Sequence, residues 1–281
     1  MLMVQGVVRV LFFSALIVIP LAGCQDTGAT GKPQNNPPQL PSQSDYLEMA
    51  VLYHQQAAEY RALCFQAFNT ARERIDMVSR QMGLSRKQAV VVDIDETMLD
   101  NSPYEAELVL RGEHYPAYWD EWMNKADARP LPGALDFVHY VADKQMEVFY
   151  VTNRREKYRR QTLENLKKFD FPFADDQHLL MRSDESSKEP RRKLIEENYN
   201  IVLLIGDNLS DFSDAFDRLS ITGRSEATSK LAKEFGKRYI ILPNAMYGDW
   251  EGAVYNNDYT LSPEEKQKLR RDHLKGFLII E

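Results

Sequence analysis

The chain has 281 residues, 43% of them hydrophobic and 27% charged, with a formal net charge of −7. That is the composition of a globular protein, long enough for one large α/β domain or two small ones. The acidic balance and the lack of a basic stripe argue against a nucleic-acid polymer as partner.

In chain order, Arg9 precedes an apolar stretch over 10–21 that runs into Leu21-Ala22-Gly23-Cys24. The stretch is too short to span a bilayer comfortably and has the form of a signal peptide over 1–23. Small residues before a cysteine resemble the bacterial lipobox, which implies cleavage before Cys24 and lipidation of its thiol. The plainer alternatives are an ordinary signal peptide or an uncleaved anchor with a chance cysteine. Gln25 follows Cys24, where Asp would retain a lipoprotein at the inner membrane. If the source is Gram-negative, that points to the outer membrane. Residues 24–44 hold the lipidated cysteine and a stretch rich in Gly, Pro, Gln, Asn, Ser and Thr, which reads as a flexible tether. Lipidation of Cys24 leaves only Cys64, so an internal disulfide is not expected.

The folded domain spans 45–281. Residues 45–82 read as one or two helices, with Met49, Leu52, Tyr53, Gln56, Tyr60, Leu63 and Ala67 near the 3.6 period and Gly83 as a stop. A strand is predicted over 89–92. An aromatic stretch follows, with Tyr104, Tyr115, Tyr118, Trp119 and Trp122, punctuated by Pro130-Leu131-Pro132-Gly133. A helix is predicted over 134–144 with Leu135, Val138, His139 and Ala142 on one face. A second strand is predicted over 147–151 and a helix over 155–168. The run Arg154, Arg155, Lys157, Arg159, Arg160 reads as a solvated helix face. Further elements are a short strand over 179–181, a helix over 188–198, a strand over 201–205 and a helix over 211–219. A less regular region with a strand over 239–242 and a last helix over 262–275 complete the chain. Strands alternating with helices predict a doubly wound parallel sheet.

Two apolar runs end abruptly in carboxylates: Val91-Val92-Asp93-Ile94-Asp95 and Leu203-Leu204-Ile205-Gly206-Asp207 followed by Asp211. The carboxyl ends of such strands are where open α/β sheets place ligands. Asp93 and Asp95 are two apart, so extended backbone points both to one side. One is suited to ligate a metal or to attack as nucleophile; the other keeps a proton because of its neighbour's charge. Asp207 and Asp211 enter from a second strand end. Oxygen ligands without Cys or His favour a hard cation such as Mg²⁺. Thr152-Asn153-Arg154 offers a hydroxyl and N–H donors for phosphate oxygens. Lys188, just before a helix, is placed to neutralise a carboxylate or a transferring phosphoryl group; Lys193 is the other candidate.

Asp93-x-Asp95-x-Thr97, Thr152, Lys188 and Gly206-Asp207-x-x-x-Asp211 resemble the four motifs of the haloacid dehalogenase (HAD) superfamily. The longer strings 92–104 and 206–212 resemble the paired signatures of bacterial class C acid phosphatases, and the chain is similar to their lipoprotein e(P4) 5′-nucleotidase branch. The resemblance implies an α/β, HAD-like (Rossmann-type) sheet with a mainly helical cap, built here from 45–82 and 103–130 with C-terminal additions. It implies that Asp93 forms an aspartyl-phosphate and that Asp95 acts first as acid, then as base. Asp93, Asp95 (through its carbonyl), Asp207 and Asp211 would hold Mg²⁺, and Thr152 and Lys188 would hold the phosphoryl oxygens. Asn153 and Arg154 would contact substrate, and Tyr104, Trp119, Trp122 and Tyr247 are candidates to stack a nucleobase or nicotinamide ring, the plainer alternative being core or subunit-interface aromatics.

The expected activity is a Mg²⁺-dependent acid phosphatase or 5′-nucleotidase acting on phosphomonoesters such as nicotinamide mononucleotide, lipid-anchored in the cell envelope, with a homodimer implied by the e(P4) resemblance. The enzymatic alternatives are a broad aryl or sugar phosphatase, or a phosphotransferase. The non-enzymatic alternative is a haem-binding or adhesion lipoprotein. Against haem, His54, His114, His139, His178 and His273 are scattered without paired ligand spacing.

Overall fold

The valine-rich run at β1 (Lys87–Val92) is the central strand of a five-stranded parallel sheet in the order β5-β4-β1-β6-β7. The computed structural model describes residues 44–80 and 86–277. The signal peptide, Cys24, nearly all of the tether and the helix stop at Gly83 lie outside the described residues. The other strands of this sheet are β4 (Glu147–Arg155), β5 (Leu179–Arg182), β6 (Tyr199–Gly206) and β7 (Tyr239–Ile241).

The sheet is apolar on both faces, so alternate residues enter two separate cores. Val90 and Val92 pack with Val148, Tyr150, Leu203 and Ile205 against α2 (Ala58–Ser79) and α5 (Ala134–Asp143). Ala89 and Val91 pack with Phe149, Val151, Ile201 and Leu204 against Ile195 of α7 (Glu189–Glu196) and Phe212. The chain moves from β1 to β4 to β5, by way of α6 (Arg159–Lys168), then returns through α7 to β6 on the opposite side of β1. This reversal makes the β1–β6 edge the topological switch point, where open sheets bind ligands. Asp93 N–H donates to the Ile205 carbonyl at 2.9 Å, which fixes the two strand ends side by side.

Helices α3 (Ser102–Arg111) and α4 (Trp119–Lys125) fill the aromatic stretch. A short antiparallel ribbon, β2 (Leu99–Asp100) with β3 (Arg129–Pro130), closes its base. Helix α1 (Glu48–Gln56) packs on α3.

Several expected elements differ in detail. A break at Ala57, with ψ 125°, separates α1 from α2, so no single stripe runs through both. The buried positions are Val51 and His54, then Tyr60, Cys64, Phe68, Ala71 and Ile75. Met49, Leu52, Tyr53 and Leu63 are exposed. On α5 the buried face is Ala134, Phe137, Val138 and Val141, and His139 is exposed. Strand β4 continues to Arg155 because its in–out alternation persists: Thr152 and Arg154 are buried, Asn153 and Arg155 exposed. In place of a helix over 211–219 are two 3₁₀ turns, Leu209–Asp211 and Asp214–Phe216. A true helix, α8 (Ile221–Lys230), follows in the region read as irregular, its N-terminus capped by Ser220 Oγ accepting from Gly223 N–H. Two C-terminal helices follow: α9 (Asp249–Val254) and α10 (Pro263–Asp272).

Phe137 is fully buried and its ring lies 5.6 Å from that of Phe68. Phe137→Ala is expected to cost about 3–5 kcal/mol of unfolding free energy by leaving a cavity between α2 and α5, read from urea unfolding.

Candidate active site

Immediately past β1 the chain folds into a tight turn. Met98 and Leu99 N–H groups both donate to the Ile94 carbonyl, and Glu96 takes a left-handed conformation at φ 55°. This turn holds Asp93 and Asp95 at the sheet edge. At the end of β6, Gly206 has no side chain for a physical reason. A Cβ there would meet Asp211 Oδ2 at 2.2 Å. Asp211 is folded back under the strand end by a capping box, with Asn208 N–H donating to its Oδ2 at 2.9 Å. Asp207 accepts from Thr97 Oγ1 at 3.3 Å and from Asn244 Nδ2 at 2.8 Å.

Lys188, the N-cap residue of α7, brings its Nζ to Asp93 Oδ1 and lies 2.6 Å from Asp211 Oδ1. Lys193 is exposed and pairs with Glu189 at 3.6 Å. The geometry therefore separates the two candidate lysines. Only Lys188 reaches the carboxylates.

The charges do not balance. One oxygen from each of Asp93, Asp207 and Asp211 lies within 4.8 Å of the others, and buried Lys188 touches Asp93 and Asp211. Burial pushes the Asp93 carboxyl up to about 7; Lys188 opposes the shift, while Asp211 and Asp95 add to it. Burial, with Asp211 and Asp93, also pushes Asp207 well above the usual carboxylate range. Burial works against the Lys188 charge, but Asp211 and Asp93 outweigh it and hold this ammonium above its ordinary value. A cluster of carboxylate oxygens with surplus negative charge, and no nitrogen or sulfur donor in the set, fits a hard divalent cation.

Asp95 is gripped separately. Arg154 donates to Asp95 Oδ1 from Nε at 2.9 Å and from Nη2 at 2.7 Å, and Asn101 Nδ2 donates to the same oxygen at 2.7 Å. Thr152 Oγ1 donates to Asp95 Oδ2 at 3.4 Å. Arg154 is buried, which corrects its reading as part of a solvated face. The rest of that run is exposed or half-buried: Arg159 pairs with Glu156 and Arg160 with Glu164 nearby in the chain, and Lys157 with Asp120 of α4.

Other expected contacts divide between open and buried positions. Asn153 is exposed and accepts from Arg191 Nη2 at 2.7 Å. Tyr104 is buried, donates its hydroxyl to the Ala117 carbonyl at 2.9 Å and meets Trp119 edge-on at 4.9 Å, so its ring offers no open stacking face. Trp119 and Trp122 are half-buried, and Trp122 Nε1 donates to Asn101 Oδ1 at 2.8 Å. Tyr247 is half-buried against Leu47, Val51 and Met246.

Sequence reasoning missed Asn101, Glu96, Asn244 and Arg191. Arg191 donates from Nη1 to the Thr152 carbonyl at 2.5 Å, and burial lowers its pKa to about 10. Asn101 lies inside the 92–104 string singled out above, but nothing in its spacing, or in that of Asn244, gives either residue its partners.

A doubly wound sheet with paired aspartates at its switch point and a lysine across them defines a HAD-type phosphatase. The chain belongs to the HAD superfamily, subfamily IIIB (acid phosphatase), whose family model matches residues 26–250. It is 42% identical to the class C acid phosphatase from Bacillus anthracis, with a TM-score of 0.81 over 84% of this chain and 99% of that one. A structure of that phosphatase with tungstate bound matches at the same identity and TM-score, over 83% of this chain and 98% of that one. Acid phosphatase 1 of Solanum lycopersicum is 29% identical over 178 residues, covering 60% of this chain and 62% of its own. A stem 28 kDa glycoprotein of Glycine max is 28% identical over 152 residues, covering 50% of this chain and 59% of its own. The chain thus matches less than two thirds of the length of these curated relatives.

Two outcomes test this geometry. Lys188→Met should lower kcat/KM for a phosphomonoester by on the order of 10²–10³, whereas Lys193→Met should stay within about twofold, its ion pair being exposed. The second concerns pH. Asp93 is shifted upward, so between about 4 and about 7 the folded protein keeps a proton that the unfolded chain has lost. Its contribution to stability is present at the acid end of that window and is lost as pH rises through it. Melting temperature against pH in EDTA should fall over this interval, and fall less in Asp93→Asn.

Proposed function

We propose that this protein is a Mg²⁺-dependent acid phosphatase that hydrolyses phosphomonoesters, nucleotides such as nicotinamide mononucleotide among them, through an aspartyl-phosphate on Asp93. The observation that carries this reading is the Asp93 carboxylate at the β1–β6 switch point, paired with Lys188 inside a ring of further aspartates. The tungstate complex of the Bacillus anthracis phosphatase adds support, since tungstate is a tetrahedral oxyanion like phosphate.

The chain's own residues supply each step. An Asp93 oxygen attacks phosphorus in line, and the phosphorus–oxygen bond to the alcohol breaks. Asp95 gives its proton to the departing oxygen. Asp95 then takes a proton from water, which attacks the aspartyl-phosphate, releases inorganic phosphate and restores Asp93. Lys188 and the Thr152 hydroxyl are placed to hold phosphoryl oxygens, and Lys188 offsets their charge. The Arg154 fork keeps Asp95 in reach between its two proton transfers. Asp93, Asp207 and Asp211, with the Asp95 carbonyl, would hold Mg²⁺, which supplies further neutralisation of phosphoryl charge when bound.

Among the stacking candidates, Trp119, Trp122 and Tyr247 keep partly exposed surface. That supports a flat aromatic leaving group such as a nucleoside. The lipobox-like Leu21-Ala22-Gly23-Cys24 supports anchorage through Cys24 at the bacterial envelope, which is the outer membrane if the source is Gram-negative. Among the described residues no helix is long and apolar enough to cross a membrane. A homodimer completes the proposal and is read by sedimentation.

The test is phosphate release by the full-length protein in detergent from nicotinamide mononucleotide and from p-nitrophenyl phosphate. Release from both, lost in EDTA, restored by Mg²⁺ and abolished in Asp93→Asn, is the expected result. Release from the aryl ester alone would sink the nucleotidase reading. Transfer of phosphate to an added alcohol in place of water would make the protein a phosphotransferase.

A further inference from the structure

Asn101 is 1% exposed, so its polar atoms must find partners inside the protein. Its backbone N–H donates to Glu96 Oε1 at 2.7 Å. Its Nδ2 donates to Asp95 Oδ1 at 2.7 Å and to Glu96 Oε2 at 3.3 Å. Its Oδ1 accepts from Trp122 Nε1 at 2.8 Å. An indole N–H can only donate, and Asp95 Oδ1, facing two N–H groups of the Arg154 fork, accepts, the proton that Asp95 transfers as acid being carried on Oδ2. The amide therefore has one allowed orientation. Flipped, it would set donor against donor at Trp122 and acceptor against acceptor at Asp95.

Trp122 belongs to α4, in the aromatic segment whose base the β2–β3 ribbon closes. The two-bond chain Trp122–Asn101–Asp95 is thus a direct polar path from that segment to the acid–base carboxylate. We propose that Asn101 is a positioning residue for Asp95, and that Trp122 of α4 fixes it by locking the amide orientation. Proton transfer needs the carboxylate within hydrogen-bond reach of the leaving oxygen, and small misplacements are costly. This inference rests on the acid–base role of Asp95 given above.

The test compares kcat/KM for an alkyl phosphomonoester, whose leaving oxygen needs a proton, with that for p-nitrophenyl phosphate, whose leaving group departs readily without one. The proteins are the full-length wild type, Asp95→Asn, Asn101→Ala, Asn101→Asp and Trp122→Phe, each with its melting temperature. Asp95→Asn should lose far more activity on the alkyl ester than on the aryl ester. Asn101→Ala should show the same selectivity, losing about tenfold more on the alkyl ester. Asn101→Asp should lose at least as much, because it sets a like charge beside Asp95. Trp122→Phe keeps the ring and removes only the N–H, and should shift the ratio in the same direction by less.

Equal losses on both esters in Asn101→Ala and Trp122→Phe, or no loss, alongside a selective Asp95→Asn, would overturn the positioning role and leave Asp95 as the acid. A non-selective Asp95→Asn would remove the acid role of Asp95, and the positioning role with it. If Asn101→Ala does not fold, the ratio measured in Trp122→Phe decides alone.

Discussion

Too many carboxylates share one sheet edge with too few cations. Asp93, Asp207 and Asp211 converge around Lys188, while Asp95 takes Arg154. Leaving such a cluster partly buried is unfavourable unless a proton, a cation or a substrate's counter-charge resolves it. Burial first, and the neighbouring carboxylates after it, push Asp93 and Asp207 upward. A site in this condition is pre-disposed to take a divalent cation, and the cation in turn favours a phosphoryl group.

The surrounding structure keeps the carboxylates in place despite their repulsion. Gly206 leaves room for Asp211, and the capping box ties Asp211 beneath the strand end. Thr97 and Asn244 hold Asp207, and Arg154 with Asn101 holds Asp95. None of these groups would suffice on a mobile loop. They act because β1, β4 and β6 are paired in register and buried on both faces, which makes the platform stiff.

Much of this was legible in the residues. Apolar runs ending at Asp93 and Asp207 have a single sensible meaning in an α/β chain, because a buried strand that stops in charge must stop at the sheet edge. The α/β sheet and the paired aspartates follow from that; Lys188 stood out only by its place just before a helix, and its contacts with Asp93 and Asp211 separate it from Lys193. Helix faces were less legible. The stripe through Met49, Leu52, Tyr53 and Leu63 is apolar at the right spacing, yet the break at Ala57 puts the two helices out of phase: α1 buries Val51 and His54, α2 buries Tyr60 and Cys64, and the stripe is left outside. Asn101 and Asn244 were invisible because their meaning lies in contacts across 21 and 37 residues of chain. Arg154 sat in a run of like charges, and only the persistence of strand alternation past Val151 turned it inward.

The central claim is that Asp93 is the nucleophile whose carboxylate oxygen attacks phosphorus. It is tested most directly by incubating the Asp95→Asn protein with p-nitrophenyl phosphate and Mg²⁺, quenching in acid and mapping phosphoryl groups by mass spectrometry. Without Asp95 as base, water attacks slowly and the intermediate accumulates. A phosphoryl group on the peptide that carries Asp93, removed by hydroxylamine as an acyl phosphate would be, is the predicted result. Release of p-nitrophenol in step with inorganic phosphate, with no adduct at Asp93, would contradict it.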